Sequence, residues 1–191
     1  LEKAPQESNL LYHEKHPGCL LIVGDPADNG ENIAHNLKMQ GYEIIEAGDG
    51  ETALRILRQR ECDLVLLDIH LPTINGVDLL KQIREQFTRI ALPVIIVTRM
   101  NQPEIVVDAL QLGANDYVTR PLNMEILAAR VETQVAVHRL RESVQAHREF
   151  SESLIESAHD IIVAANLGGQ ITHFNLSAEK AFGYSRDEVI G

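Results

Sequence analysis

Four apolar runs in this 191-residue chain end in side chains that can do chemistry. Val23 is followed by Gly24 and Asp25, Leu67 by Asp68, Val97 by Thr98 and Arg99, and Thr119 by Arg120. Two carboxylates can hold a divalent cation, a hydroxyl can donate to an oxyanion, and guanidinium groups can neutralise one. Any one polar residue after an apolar run is more often solvated than functional. Asp25, Asp68, Thr98, Arg99 and Arg120 all stand in the same relative position, which asks for an architecture that gathers the ends of those runs.

The surrounding pattern supplies one. Short apolar stretches at Cys19–Val23, Tyr42–Ala47, Asp63–Leu67, Pro93–Val97 and Asp116–Thr119 alternate with amphipathic ones. The helical stretches carry Ile33, Ala34 and Leu37, then Ala53, Leu54, Ile56 and Leu57, then Val77, Leu79, Leu80 and Ile83. Gly41 and Gly113 close two of them, while Asp49 and Asn75 are placed to cap two others; Asn101-Gln102-Pro103-Glu104 has the spacing of a capping box. The third apolar run is nearly continuous, as a strand covered on both faces must be. Strands and helices alternating at this spacing predict a doubly wound, parallel α/β sheet. Right-handed crossovers then place the strand C-termini along one edge, where such sheets bind their ligands.

Composition narrows the class. With 17 basic against 28 acidic residues the formal charge is −11, and no basic stripe is visible, so a nucleic-acid grip is not expected. A hydrophobic share of 45% suits a folded chain, and no apolar run approaches the roughly 20 residues of a membrane helix. The only cysteines, Cys19 and Cys62, read as reduced, buried thiols of a cytoplasmic protein. Residues 1–17 are polar and aperiodic and read as a flexible tail. A start at Leu1 and a stop within a motif read as a fragment of a longer protein.

Three motifs in order carry a family resemblance: Leu64-Val65-Leu66-Leu67-Asp68-Ile69-His70-Leu71-Pro72 with Gly76, Pro93-Val94-Ile95-Ile96-Val97-Thr98, and Gly113-Ala114-Asn115-Asp116-Tyr117-Val118-Thr119-Arg120-Pro121. Residues 18–125 resemble the receiver domain of two-component response regulators. The resemblance implies a flavodoxin-like five-stranded sheet of order 2-1-3-4-5. It makes Asp68 the phosphoacceptor, served by a histidine kinase or phosphotransfer protein as donor. It also implies Mg²⁺ held by Asp25, Asp68 and the backbone carbonyl of His70, phosphoryl contacts from Thr98 and Arg120, and a switch pair of Thr98 and Tyr117.

Three positions depart from that family. Gly24 stands where a second acid is usual, which should lower Mg²⁺ affinity. Arg120 replaces a lysine, and its planar fork is suited to a standing salt bridge with Asp68. Arg99 replaces a small residue and would crowd the entrance or reach the phosphate. Two readings follow: a phosphorylated receiver, or a degenerate one that acts as a phosphorylation-independent dimerisation module. A haloacid-dehalogenase-type phosphatase would need a second aspartate where His70 stands. A flavodoxin would need a hydroxyl- and glycine-rich loop where Gly24-Asp25-Pro26-Ala27-Asp28 is acidic.

From Asn123 to about His159 the chain has no Pro or Gly. Val137, Leu140, Val144, His147, Ser151, Leu154 and Ala158 fall at heptad spacing, so residues 126–158 read as a helical signalling linker and coiled coil that supports a homodimer. His138 and His147 lack the flanking residues of a kinase phosphoacceptor box and read as ordinary helix positions. Residues 159–191 carry two short strands joined by an Asn/Gly turn, a helix over Ser177–Phe182, and Gly183-Tyr184-Ser185-Arg186-Asp187-Glu188-Val189-Ile190-Gly191. They resemble the start of a PAS sensory domain, too short to bury a core of its own. The output beyond it, such as a histidine kinase or nucleotide cyclase, is not chosen by any residue here.

Overall fold

The computed structural model describes residues 18–25, 31–99 and 103–191. The tail, the loop after Asp25 and the capping box at Asn101 lie outside the described residues. The chain separates into two compact units, one ending at Arg139 and one spanning Leu140–Gly191.

The first unit alternates strand and helix: β1 (Cys19–Val23), α1 (Glu31–Met39), β2 (Glu43–Ala47), α2 (Gly50–Gln59), β3 (Leu64–Asp68), α3 (Gly76–Gln86), β4 (Val94–Arg99), α4 (Pro103–Gln111), β5 (Asp116–Arg120) and α5 (Met124–Ser157). The strands form one parallel sheet of order β2-β1-β3-β4-β5. Period-two alternation sends successive side chains to opposite faces. Leu21, Val23, Val65 and Leu67 pack with Ala53 and Leu57 of α2, Leu79, Leu80 and Ile83 of α3, and Ala109 of α4. Leu20, Ile22, Leu64 and Leu66 pack with Ile33, Ala34 and Leu37 of α1 and with Leu127, Val131 and Val135 of α5. Each strand of the middle is therefore buried twice, which is why its sequence is apolar throughout.

Local chemistry sets the element ends. The Asp49 carboxylate accepts from the Thr52 amide at 2.8 Å, the Asn75 side chain accepts from Val77 at 2.9 Å, and Asn123 accepts from the amides of Glu125 and Ile126. Tyr42, read from sequence as strand, instead closes α1: Gly41 sits at φ +91°, its N–H donates to Lys38, and the Tyr42 N–H donates to Leu37. Strands β4 and β5 run further than their apolar residues suggest. Thr98 pairs with Thr119 and Arg99 with Arg120, so three site candidates are held by ladder hydrogen bonds.

The N-terminal edge of the sheet is tied to α5. Asp63 accepts from the Cys19 amide at 2.7 Å and from Arg139 Nε at 3.0 Å, and the buried His138 places Nδ1 3.1 Å from the Ile90 carbonyl oxygen. The stripe that α5 buries is Leu127, Val131, Val135 and His138, whereas Val137, Leu140, Val144 and Leu154 of the heptad seam are exposed. Cys19 and Cys62 are unbridged and share one core cluster. Burial, then the neighbouring Cys19 thiol, push Cys62 up to about 12. Its neutral form favours the fold, so this contribution is complete below the unfolded thiol's pKa of about 8.5 and is lost as pH rises toward 12. Iodoacetamide at pH 7.5 is expected to label Cys62 only after unfolding, read by mass spectrometry; rapid native labelling would contradict this burial.

The second unit contains the end of α5, the antiparallel pair β6 (Val163–Ala165) and β7 (Ile171–Phe174), α6 (Leu176–Phe182) and α7 (Arg186–Val189). The Asn166 side chain accepts from the amides of Gly168 and Gln170, and Gly169 takes φ +81°, which makes the turn. Its buried residues are few: Phe174, Asn175 and Ala178. Asn175 accepts from the amides of Ile162 and Ala178 and donates to the carbonyls of Ile155, Ala158 and Asp160. With the backbone of 160–162 claimed in this way, β6 starts at Val163. Glu156 adds a second tie, accepting from the Leu176 amide and from Arg186.

Candidate functional site

Strand β3 delivers Asp68 to the C-terminal edge of the sheet with 7% of its side chain exposed. Arg120, at the end of β5 and itself 17% exposed, donates from Nη2 to Asp68 Oδ2 at 2.7 Å. The other carboxylate oxygen accepts from the backbone amide of His70 at 2.8 Å. Charge-assisted bonds of this kind are about twice as strong as neutral ones, and removing one partner of a buried pair costs about 3 kcal/mol or more. The salt bridge suited to an arginine at this position is thus formed.

Two glycines shape the space around Asp68. A Cβ on Gly76, at the start of α3, would lie 2.6 Å from Ile69 Cα and against the Asp68 carbonyl. Its N–H donates to the Ile69 carbonyl at 2.9 Å, so the first turn of α3 rests directly on the strand end. A Cβ on Gly24 would lie 3.3 Å from Asp68 Cβ.

Gly24, Asp25, Asp68 and Arg120 line a common pocket, with Ile22, Ile33, Leu66 and Val97 as its apolar floor and Glu46 at its side. Asp25 also lines a wider cleft with His70, Asn75 and Arg99. The His70 imidazole Nδ1 is 3.8 Å from Asp68 Oδ1. Arg99 is exposed and stands at the cleft mouth. Thr98 is fully buried beside Arg99, and Tyr117 is half-buried on β5 with the Arg130 guanidinium 5.8 Å from its ring centre. Neither of these two lines the pocket; they continue the series of Val94 and Ile96 on the face that carries α2, α3 and α4.

Sequence reasoning did not find Glu46 or Arg130. Glu46 reaches the pocket only because β2 pairs with β1, placing it opposite Ile22. Arg130 of α5 ion-pairs with Asp116 and stands beside the ring of Tyr117, its neighbour on the edge strand β5. Neither position carries a motif.

The donor set suits Mg²⁺ in kind, being two carboxylates and a carbonyl, all hard oxygen ligands. It is small in number: among the described residues no three Asp, Glu, His or Cys side chains gather into a metal-holding group.

A family model described as the response regulator receiver domain matches residues 20–132. The chain belongs to that family. A model of the PAS fold matches residues 149–191. Among curated relatives, the alkaline phosphatase synthesis transcriptional regulatory protein PhoP of Bacillus subtilis (strain 168) is 34% identical over 113 residues, 59% of this chain and 46% of its own. The phosphate regulon transcriptional regulatory protein PhoB of Pseudomonas aeruginosa is also 34% identical over 113 residues, 59% of this chain and 49% of its own. The chain spans about half the length of the curated relatives it matches.

Solved structures agree on the fold. A two-component response regulator from Clostridium difficile superposes with a TM-score of 0.58 at 31% identity, covering 62% of this chain and 95% of that one. NtrX from Brucella abortus, solved in complex with ADP, superposes with a TM-score of 0.63 at 27% identity, covering 78% of this chain and 32% of that one. The receiver fold and its place in two-component signalling follow. Among the described residues no helix is long and apolar enough to cross a membrane.

Proposed function

We propose that this receiver accepts a phosphoryl group on Asp68 from a histidine kinase or phosphotransfer protein in the cytoplasm, and passes the change through α5 to the PAS unit and an output module. The observation that carries this reading is a strand-end carboxylate that shares a pocket with a second carboxylate, Asp25. Asp68 lies at the strand edge with a guanidinium on one oxygen and a backbone amide on the other. Donors already beside Asp68 would have a short way to move onto the oxygens of a phosphoryl product.

In the transfer, an Asp68 oxygen attacks phosphorus, the bond from phosphorus to the donor atom breaks, and the donor leaves with that electron pair. Asp25, Asp68 and the His70 carbonyl would hold Mg²⁺, which supplies charge neutralisation between a carboxylate and an anionic phosphoryl group. Arg120 would fork onto phosphoryl oxygens, Thr98 would donate its hydroxyl, and Tyr117 would report the change from the same face of the sheet. Arg99 at the cleft mouth would meet the donor. The exposed Val137, Leu140, Val144 and Leu154 support a homodimer through α5.

Incubation with radiolabelled acetyl phosphate tests the central claim. Wild type is expected to take a hydroxylamine-sensitive label and Asp68→Asn none. An unlabelled wild type, with acetyl phosphate and with a cognate kinase, overturns it. A second reading, a phosphorylation-independent interaction module, is favoured by the standing Arg120–Asp68 pair and by the absence of an acid at Gly24. It predicts no label and the same oligomeric state in wild type and Asp68→Asn by light scattering.

A further inference from the structure

From Leu140 onward the surface of α5 divides by chemistry. Its acids take only the outer heptad positions, Glu142, Glu149 and Glu156 on one line and Glu152 beside them. Glu156 accepts from the Leu176 amide and from Arg186, so the starts of α6 and α7 are tied to that acidic line. The opposite line, Leu140, Val144, His147, Ser151 and Leu154, keeps alternating spacings of four and three, and its three apolar members are 66%, 61% and 54% exposed. Phe150, also exposed, flanks it. In the middle of this line His147 is exposed, and among the described residues it has no hydrogen bond or ion pair.

We propose that α5 pairs with α5 of a second copy in parallel and in register, and that His147, facing the same residue of that copy, is the layer that fixes this register and loosens the pair in acid. The inference deepens the homodimer reading above and rests on it. A register shifted by one heptad would bury the imidazole against Leu140 or Leu154, whereas the in-register pair matches His147 and Ser151 each with its own kind. Charge selects the direction. In a parallel pair Arg148 faces Ser143 of the second copy and Ile155 faces Phe150, while an antiparallel pair turns the Arg141 and Arg148 flanks of both copies toward each other. The charged group next to His147 is Arg148, which holds Glu152 at 2.9 Å; Glu149 accepts from Gln145 on the outer face, and Arg186 and His173 of the hairpin unit act on Glu152. No carboxylate stands at a seam or flanking position between residues 140 and 157. Two imidazolium groups in one layer would repel with nothing to neutralise them, so protonation favours separate chains. The pair is complete at alkaline pH and weakens as pH falls through the range where histidines charge.

Sedimentation velocity on the full chain at pH 8 and pH 6 reads the pairing. Wild type is expected to dimerise at pH 8 with a dissociation constant about tenfold higher at pH 6. Acid also trims the net charge of −11, which by itself favours association, so the expected response runs against that trend. His147→Asn, polar but without a titrating group, should dimerise with constants within about twofold of each other at the two pH values. Oxidative cross-linking reads the register: Leu140→Cys and Leu154→Cys should each form a disulfide with the same position of the second copy, with wild type as the blank for Cys19 and Cys62. A wild type that is monomeric at pH 8 overturns this inference and the homodimer reading together. A dimer in which His147→Asn keeps the wild-type pH response, or in which either introduced cysteine fails to cross-link, overturns this inference alone.

Discussion

Replacing Gly76 by alanine is expected to destabilise the receiver by about 3 kcal/mol, the upper end for overpacking, and to lower its melting temperature by on the order of 12 °C. The single added carbon meets main chain, at 2.6 Å from Ile69 Cα and against the Asp68 carbonyl, and main chain cannot rotate away as a side chain can. Relief requires α3 to lift off the end of β3, which breaks the Gly76 to Ile69 hydrogen bond and unsettles the Asn75 cap. Urea denaturation gives the stability change. A loss under 1 kcal/mol would show that α3 can slide on β3, contrary to the close approach described above.

An Asn175→Ala chain is expected to lose the order of its second unit while the first unit keeps its stability. Asn175 is fully buried, accepts two hydrogen bonds and spends its two N–H donors on the Ile155 and Asp160 carbonyls, with Ala158 at a longer 3.4 Å. Each is worth about 1 kcal/mol net, and the bond from the Ala178 amide is the α6 cap itself. The substitution also leaves the carbonyls of Ile155, Ala158 and Asp160 without this donor. With only Phe174 and Ala178 buried beside it, this unit has little apolar burial to offset the loss. Amide hydrogen exchange reads the effect residue by residue. Ile162 and Ala178 should lose protection by at least a hundredfold, about 3 kcal/mol, while Leu66 and Ile96 should not change. Unaltered protection at Ile162 would mean that the apolar contacts alone hold the hairpin.

The sheet and its candidate site were legible from the sequence for the same reason. A parallel strand buried on both faces is a continuous apolar run, so its end is visible wherever a polar residue follows, and Asp68 and Arg120 both sit at such ends. Gly24 was visible as a departure from a motif, but its proximity to Asp68 Oδ2 is a matter of register between β1 and β3. Where backbone groups are claimed by partners distant in sequence, the pattern misled. Ile161 and Ile162 look like strand, yet the Asn175 side chain holds the backbone at Asp160 and Ile162. Tyr42 looks like strand, yet its N–H belongs to the end of α1. His138 lies beside the heptad seam and is buried, because the packed stripe of α5 is one residue out of phase with that seam.

The strand order has a consequence for how the chain is made. β2 pairs with β1, β3 with β1, β4 with β3 and β5 with β4, so each strand after the first docks on one that precedes it in sequence. During synthesis from the N-terminus, every new strand emerges to find its neighbour already present, and the sheet extends from β3 to β5 in one direction only. The nascent edge is open for one βα unit at a time. Among the strand-end residues, Asp68 and Arg120 are brought together last, when β5 docks on β4 and becomes the edge itself.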